Sequence, residues 1–171
     1  NMPLNAEITV KGNLGLGGCD LVDLAKQYGT PLYVMEEETL RDNCRRYINA
    51  FHDNYPDSEV VFASKALSVV GIHKILKEEG LGVDVVSGGE LFIALKAGYL
   101  PAKIYFHGNN KTAEELTQAL TAGVGYIVVD SLAEAELLNK LAKDQGKTQN
   151  ILIRVTPGIE AHTHDFVKTG H

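Results

Sequence analysis

Apolar residues recur along this chain in a two-part phrase: a helix-spaced stretch that ends in glycine, then a short apolar run. The phrase reads Ile75-Leu76-Lys77-Glu78-Glu79-Gly80 before Val83-Asp84-Val85-Val86, and Ala94-Leu95-Lys96-Ala97-Gly98 before Ile104-Tyr105-Phe106. It returns as Ala119-Leu120-Thr121-Ala122-Gly123 before Tyr126-Ile127-Val128-Val129, and a fourth copy ends at Gly146 before Ile151-Leu152-Ile153. Each glycine suits the left-handed position that closes a helix. Helix starts are marked by three capping boxes, Ser87-x-x-Glu90, Thr112-x-x-Glu115 and Ser131-x-x-Glu134. Leu116, Ala119, Leu120 and Gly123 share one helical face, and Leu137, Leu138, Leu141 and Ala142 share another.

The apolar runs predict strands near 31–35, 59–65, 83–87, 103–107, 126–130 and 151–156. They are nearly continuous rather than alternating, which suits parallel strands covered on both faces. Their spacing of roughly 20–30 residues is that of a βα unit. A doubly wound nucleotide-binding sheet would carry G-x-G-x-x-G after an early strand. Gly12, Gly15, Gly17 and Gly18 lack that spacing. The pattern reads as α/β, an incomplete (β/α)8 barrel of the TIM type with about six parallel strands. Residues 1–30 break the rhythm, with a candidate strand at Glu7-Ile8-Thr9-Val10, glycines, and a short helix from Asp20 to Tyr28. They form a leading segment that belongs partly elsewhere, and 31–171 is the N-terminal portion of the barrel.

Composition narrows the partners. The formal charge of -6 over 171 residues argues against nucleic acid, whose phosphates need a basic face. No apolar run approaches the ~20 residues of a membrane span. Cys19 and Cys44 share no metal or redox spacing and read as thiols of a reducing, cytoplasmic compartment. His162 and His164 form an H-x-H pair, but no carboxylate or cysteine set completes a zinc site. His171 carries no chemistry in this reading.

Chemistry in such barrels gathers at the C-terminal ends of the strands. There stand Lys65, Ser87, His107 to Asn110, Asp130 with Ser131, and Arg154. The apolar run Val60-Val61-Phe62-Ala63-Ser64 delivers Lys65 to the mouth. A desolvated lysine loses proton affinity and becomes a nucleophilic amine, able to form a Schiff base with an aldehyde such as pyridoxal phosphate (PLP). Position alone leaves a solvated strand-end lysine as the simpler reading.

Five motifs in order change that balance. Phe62-Ala63-Ser64-Lys65-Ala66 is similar to the cofactor-lysine motif of the alanine racemase-like, PLP-dependent decarboxylases. Gly82-Val83-Asp84-Val85-Val86-Ser87-Gly88-Gly89-Glu90-Leu91, Phe106-His107-Gly108-Asn109-Asn110-Lys111 and Gly125-Tyr126-Ile127-Val128-Val129-Asp130-Ser131 continue the likeness. Arg154-Val155-Thr156-Pro157-Gly158 completes it, running into Ala161-His162-Thr163-His164-Asp165 and Thr169-Gly170. From about residue 20 onward the set resembles the diaminopimelate decarboxylase branch. The resemblance implies decarboxylation of meso-diaminopimelate to L-lysine, with Lys65 and Ala63 at the cofactor. It implies that Asp84 lies near the cofactor ring and supports a histidine there. It sets Glu90 near the cofactor too, although the Ser87 capping box alone explains Glu90. Arg154 matches an arginine near the cofactor, and its expected partners are Asp84 or Glu90. A structural ion pair is the other reading of Arg154. The His107–Asn110 loop and the His162/His164 loop are expected to position rather than react.

The resemblance also implies that the 171 residues are the first part of a longer, homodimeric enzyme. The phosphate loop, ring-stacking histidine, pyridine-nitrogen glutamate and C-terminal β domain would follow His171, so this piece alone is expected to be inactive. Decarboxylation of ornithine, arginine or carboxynorspermidine keeps the fold and changes the substrate. A non-catalytic PLP carrier would need a barrel closed within itself, and a lysine aldolase would need no PLP.

Overall fold

The computed structural model describes residues 3–156 and 158. By contact the chain forms two compact units: one runs through Val60 and adds Ile75–Leu81, the other takes Val61–Lys74 and continues from Gly82. The expected division at residue 30 concerns the whole protein, and contact grouping within this chain keeps residues 31–60 with those before them.

The first unit holds a three-stranded antiparallel sheet of β1 (Ala6–Ile8), β2 (Leu14–Leu16) and β3 (Cys19–Asp20), in that order. Helices α1 (Leu21–Tyr28) and α2 (Glu37–His52) follow. Asp20 starts α1 because its carboxylate accepts from the backbone of Val22 and Asp23. Thr9 and Asn13 donate to the same carboxylate, which ties the sheet to the helix start. The strand expected at 31–35 is absent: the chain is extended there but has no ladder among the described residues, and Tyr33 is 99% exposed. A run of β-prone residues becomes a strand only where its backbone meets a neighbour. Arg41 and Arg45 on α2 pair with Glu79, and Arg41 also with Glu78. Cys44 is buried on α2, and that burial pushes its thiol up from the ordinary range.

The second unit is built on a five-stranded parallel sheet. Its strands are β4 (Val61–Ala63), β5 (Gly82–Val85), β6 (Ile104–Phe106), β7 (Tyr126–Val129) and β8 (Ile151–Ile153), in sequence order. Helices α3 (Val70–Glu78), α4 (Gly88–Lys96), α5 (Ala113–Ala122) and α6 (Leu132–Asp144) make the connections. This is the βαβ progression of a barrel, and among the described residues the sheet is open, with β4 and β8 at its edges. Five strands rather than six follow from the loss of 31–35.

Register divides the sheet into two faces. Val83 pairs with Ile104 and Val85 with Phe106, and all four are fully buried. They pack with Leu91 and Ala94 of α4, Leu116, Ala119 and Leu120 of α5, and Leu138 of α6. The other face carries Ala63, Asp84, Tyr105 and Tyr126 in one cross-strand row. That row is only partly buried. Among the described residues helices cover one face of this sheet and leave the second uncovered, where cover on both faces is expected. The two tyrosines stack across β6 and β7, with centroids 5.1 Å apart.

The turn chemistry follows the sequence closely. Ser87, Thr112 and Ser131 all cap their helices. Gly123 adopts the left-handed conformation (φ 72°, ψ 42°) that ends α5. Gly125 has a different constraint: a Cβ there would lie 2.3 Å from the carbonyl oxygen of Ala102. Gly125→Ala should cost about 2–3 kcal/mol by forcing apart the approach to β7. Gly71→Ala, in the open first turn of α3 with nothing within 4 Å, should gain roughly 0.5–1 kcal/mol. Thermal melts of both variants check the pair; equal shifts would contradict the packing argument.

Candidate active site

All candidate residues of the parallel unit sit where its strands end. β4 stops at Ala63, and Lys65 follows on a single 3₁₀ turn, Ser64–Ala66, rather than within the longer strand expected at 59–65. Lys65 is exposed. The desolvation foreseen for it is not supplied by the described residues, because an open sheet leaves this end uncovered.

Asp84 lies beside Ala63 in the β4–β5 register. Its carboxylate is 3.6 Å from His107 Nδ1, at the start of the loop after β6. Burial pushes the Asp84 carboxyl up from its ordinary value; His107 and Lys65 pull it down, and Glu90 pushes it further up. Asp84, His107, Lys65 and Glu90 therefore share one electrostatic neighbourhood.

Glu90 does two things, only one of them foreseen. Its backbone N–H donates to the Ser87 hydroxyl, as a cap requires. Its carboxylate accepts from Val86 N at 2.9 Å, at the end of β5, instead of closing the capping box. Arg154 is the clearest correction. It is exposed, lies just past β8, and pairs with Asp130 at 2.8 Å rather than with Asp84 or Glu90. β8 adjoins β7, which Asp130 directly follows, whereas β5 stands three strand spacings away, roughly 14 Å. Asn109 and Asn110 are exposed in the His107 loop. Pro157 and the His162/His164 loop, with Thr169, Gly170 and His171, lie outside the described residues.

Two groups escaped the sequence reading. Lys111 is buried, with its ammonium 2.6 Å from Gly108 O, 2.8 Å from Val128 O and 2.9 Å from Glu134 Oε1. The two carbonyls accept hydrogen bonds and the Glu134 carboxylate stands at ion-pair distance, which fastens the His107 loop to β7 and α6. The third capping box hinted at this, since Glu134 gives its carboxylate to Lys111 rather than to Ser131. The other group is Ser64 with His73, both fully buried beneath the Lys65 turn. No periodicity marks a polar pair whose partners are nine residues apart.

Concavities of about 630 Å³ beside Glu36–Glu38 and about 610 Å³ between α4 and α5 lie elsewhere. The gathered polar groups occupy the open strand ends, not a closed pocket. Among the described residues, no helix is long and apolar enough to cross a membrane.

Residues 41–171 match the family model of the pyridoxal-dependent decarboxylase, pyridoxal binding domain. The chain belongs to the pyridoxal-dependent decarboxylases. It is 48% identical to a diaminopimelate decarboxylase of Bacillus methanolicus over 164 residues, 96% of this chain and 38% of that protein. The diaminopimelate decarboxylase of Bacillus subtilis is 47% identical, over 93% of this chain and 36% of its own length. A crystal structure of M. jannaschii diaminopimelate decarboxylase in complex with L-lysine superposes with a TM-score of 0.85 at 39% identity. That match takes in 97% of this chain and 39% of the solved one. The chain thus spans well under half the length of the relatives it matches. For a pyridoxal-binding domain the donor set fits at the aldehyde end: a primary amine stands on an exposed turn, with a carboxylate and an imidazole beside it on the same sheet edge.

Burial of Asp84 has a measurable sign. A carboxyl with raised native proton affinity adds stability fully below its unfolded value of about 3.9, and loses it as pH rises through the higher native value. Asp84→Asn cannot titrate. Its melting temperature should therefore gain on the wild type as pH rises above about 4; a constant difference would refute the assignment. Lys111→Met should cost about 3–5 kcal/mol by stranding Glu134, and the added change Glu134→Leu should recover most of it. Denaturant melts of the single and double variants test that coupling.

Proposed function

We propose that the whole protein removes carbon dioxide from meso-diaminopimelate to give L-lysine, and that Lys65 is the amine that holds its pyridoxal phosphate. The observation that carries this reading is Lys65 itself: a primary amine on a turn at the C-terminal end of β4, in the charge neighbourhood of Asp84. When bound, the cofactor supplies an electron sink for the carbanion that loss of carbon dioxide leaves behind.

The chain's own residues would place and steady the reacting groups. Lys65 supplies the nucleophilic nitrogen. Asp84 orients His107 through its Nδ1, and the carboxylate's position beside Ala63 fixes both against the sheet. Glu90 holds the backbone where β5 turns into α4, so its part is to shape the mouth rather than to transfer protons. Arg154 and Asp130 brace the neighbouring ends of β7 and β8. Ala63, Asp84, Glu90 and Arg154 are thus proposed as the cofactor-side wall, with Lys65 as its reactive member.

The choice of substrate rests on the relatives, which carry the name diaminopimelate decarboxylase at 44–48% identity over nearly all of this chain. A lysine/ornithine decarboxylase of Vibrio vulnificus, at 24% identity and a TM-score of 0.64, supports the fold alone. The reading carries with it a cytoplasmic homodimer, and a β domain with which residues 1–30 associate.

Borohydride reduction of the PLP-treated whole protein should leave its label on the peptide containing Lys65. Lys65→Ala should lose the visible cofactor band and lower carbon dioxide release from meso-diaminopimelate by roughly a thousandfold or more. Label on a different lysine would overturn the residue assignment. Faster turnover of ornithine or arginine would overturn the substrate.

A further inference from the structure

The turn that carries Lys65 has little local support of its own. Ala63 offers it no side-chain cap, and its closing backbone bond is Leu67 N to Ser64 O at 3.1 Å. What anchors the turn lies underneath. Ser64 Oγ is 3.0 Å from His73 Nε2, and His73 Nδ1 is 3.0 Å from Val69 O. Both side chains are 0% exposed. Phe62 of β4 and Tyr99 meet the imidazole edge-on, each with centroids 6.2 Å away. The ring is therefore fixed in orientation as well as in place.

Valence then assigns the protons. A carbonyl only accepts, so Nδ1 carries the hydrogen and Nε2 presents a lone pair. The Ser64 hydroxyl donates to Nε2, which commits its one proton, and the hydroxyl of Ser68, 3.1 Å away, is left to donate to Ser64. The chain of bonds runs from Ser68 through Ser64 and His73 to the backbone at the start of α3. A serine and a histidine at this distance also resemble a hydrolytic pair. Complete burial denies them a substrate, and Nδ1 meets a backbone carbonyl where such a pair needs a carboxylate.

We propose that His73, acting through Ser64, is a positioning residue for Lys65. It sets the direction in which the 3₁₀ turn presents the lysine, one residue beyond Ser64. The proposal rests on the reading of Lys65 as the cofactor amine. Without the Ser64–His73 bond a buried hydroxyl and a buried imidazole both lose a partner, and the turn rotates to recover one.

The test follows labelling of the cofactor-free whole protein by PLP and borohydride over time. Peptide mapping gives the rate at Lys65, with the remaining lysines as internal controls. His73→Phe keeps the ring contacts and removes both hydrogen bonds. It should slow labelling of Lys65 by about tenfold, the size expected for losing the one of these bonds that reaches the turn, and leave the other lysines unchanged. His73→Gln, whose amide can accept from Ser64 and donate to Val69, should restore most of the rate. Should His73→Phe not fold, Ser64→Ala carries the same expectation with a smaller change. The double variant should be no slower than either single one. Lys65 labelled at the wild-type rate in a folded variant overturns the positioning role while the Lys65 reading stands. Wild-type label on some other lysine overturns both.

Discussion

A parallel ladder brings the C-terminal end of every strand to one edge of the sheet, and it leaves each side chain no choice of face. Ala63, Asp84, Tyr105 and Tyr126 share a row because the strands pair in register, not because the chain brings them together locally. Val83, Val85, Ile104 and Phe106 then have to face the helices, and their complete burial holds that register. A slip of one residue would send Asp84 into the apolar core and Val85 into the open row. The cost of an unpaired buried carboxylate makes such a slip untenable. The core that stabilises the sheet is thus also what aims the candidate site.

Two lysines close to that edge show how surroundings divide like side chains into different roles. Lys111 is enclosed by two carbonyls that accept from it and a glutamate at ion-pair distance, so it serves as a fastener. Lys65 stands exposed on a short turn, available to a ligand. A buried ion pair of the first kind contributes little net stability, since desolvation offsets most of the attraction. Its value lies in geometry: the loop that starts at His107 cannot drift while Lys111 is held at both ends.

Most of the architecture could be read from the chain because it is written in local rules. Glycines after helical stretches, hydroxyl caps before them and apolar runs at βα spacing gave four of the connecting helices and five of the strands. Motif likeness named Lys65 and Asp84 as candidates, Lys65 also by its place after an apolar strand, and the fold sets both toward one edge of the sheet. Where the reading failed, the deciding partner was distant. The run at 31–35 has the side chains of a strand but, among the described residues, no ladder partner. Arg154 was expected beside Asp84 or Glu90, yet strand order puts Asp130 within its reach. Ser64 and His73 gave no signal, since a buried hydrogen bond between residues of one βα connection leaves no periodicity.

The three capping boxes show what separates a local motif from its tertiary use. At Thr112 the box closes completely, and Glu115 also accepts from Gly88 N, so backbone donors hold its carboxylate below the usual range. At Ser87 and Ser131 the hydroxyl half forms, but the acid is taken elsewhere: Glu90 to the end of β5, Glu134 to Lys111. Both diversions occur where a helix begins directly above a strand end, and both acids act on groups of the site's edge. A capping glutamate that forgoes its own helix gives up a bond worth about 1 kcal/mol, so the alternative partner must return at least as much. The incomplete boxes therefore mark the strand ends at which the sheet's rim, rather than the helix, decides where a carboxylate points.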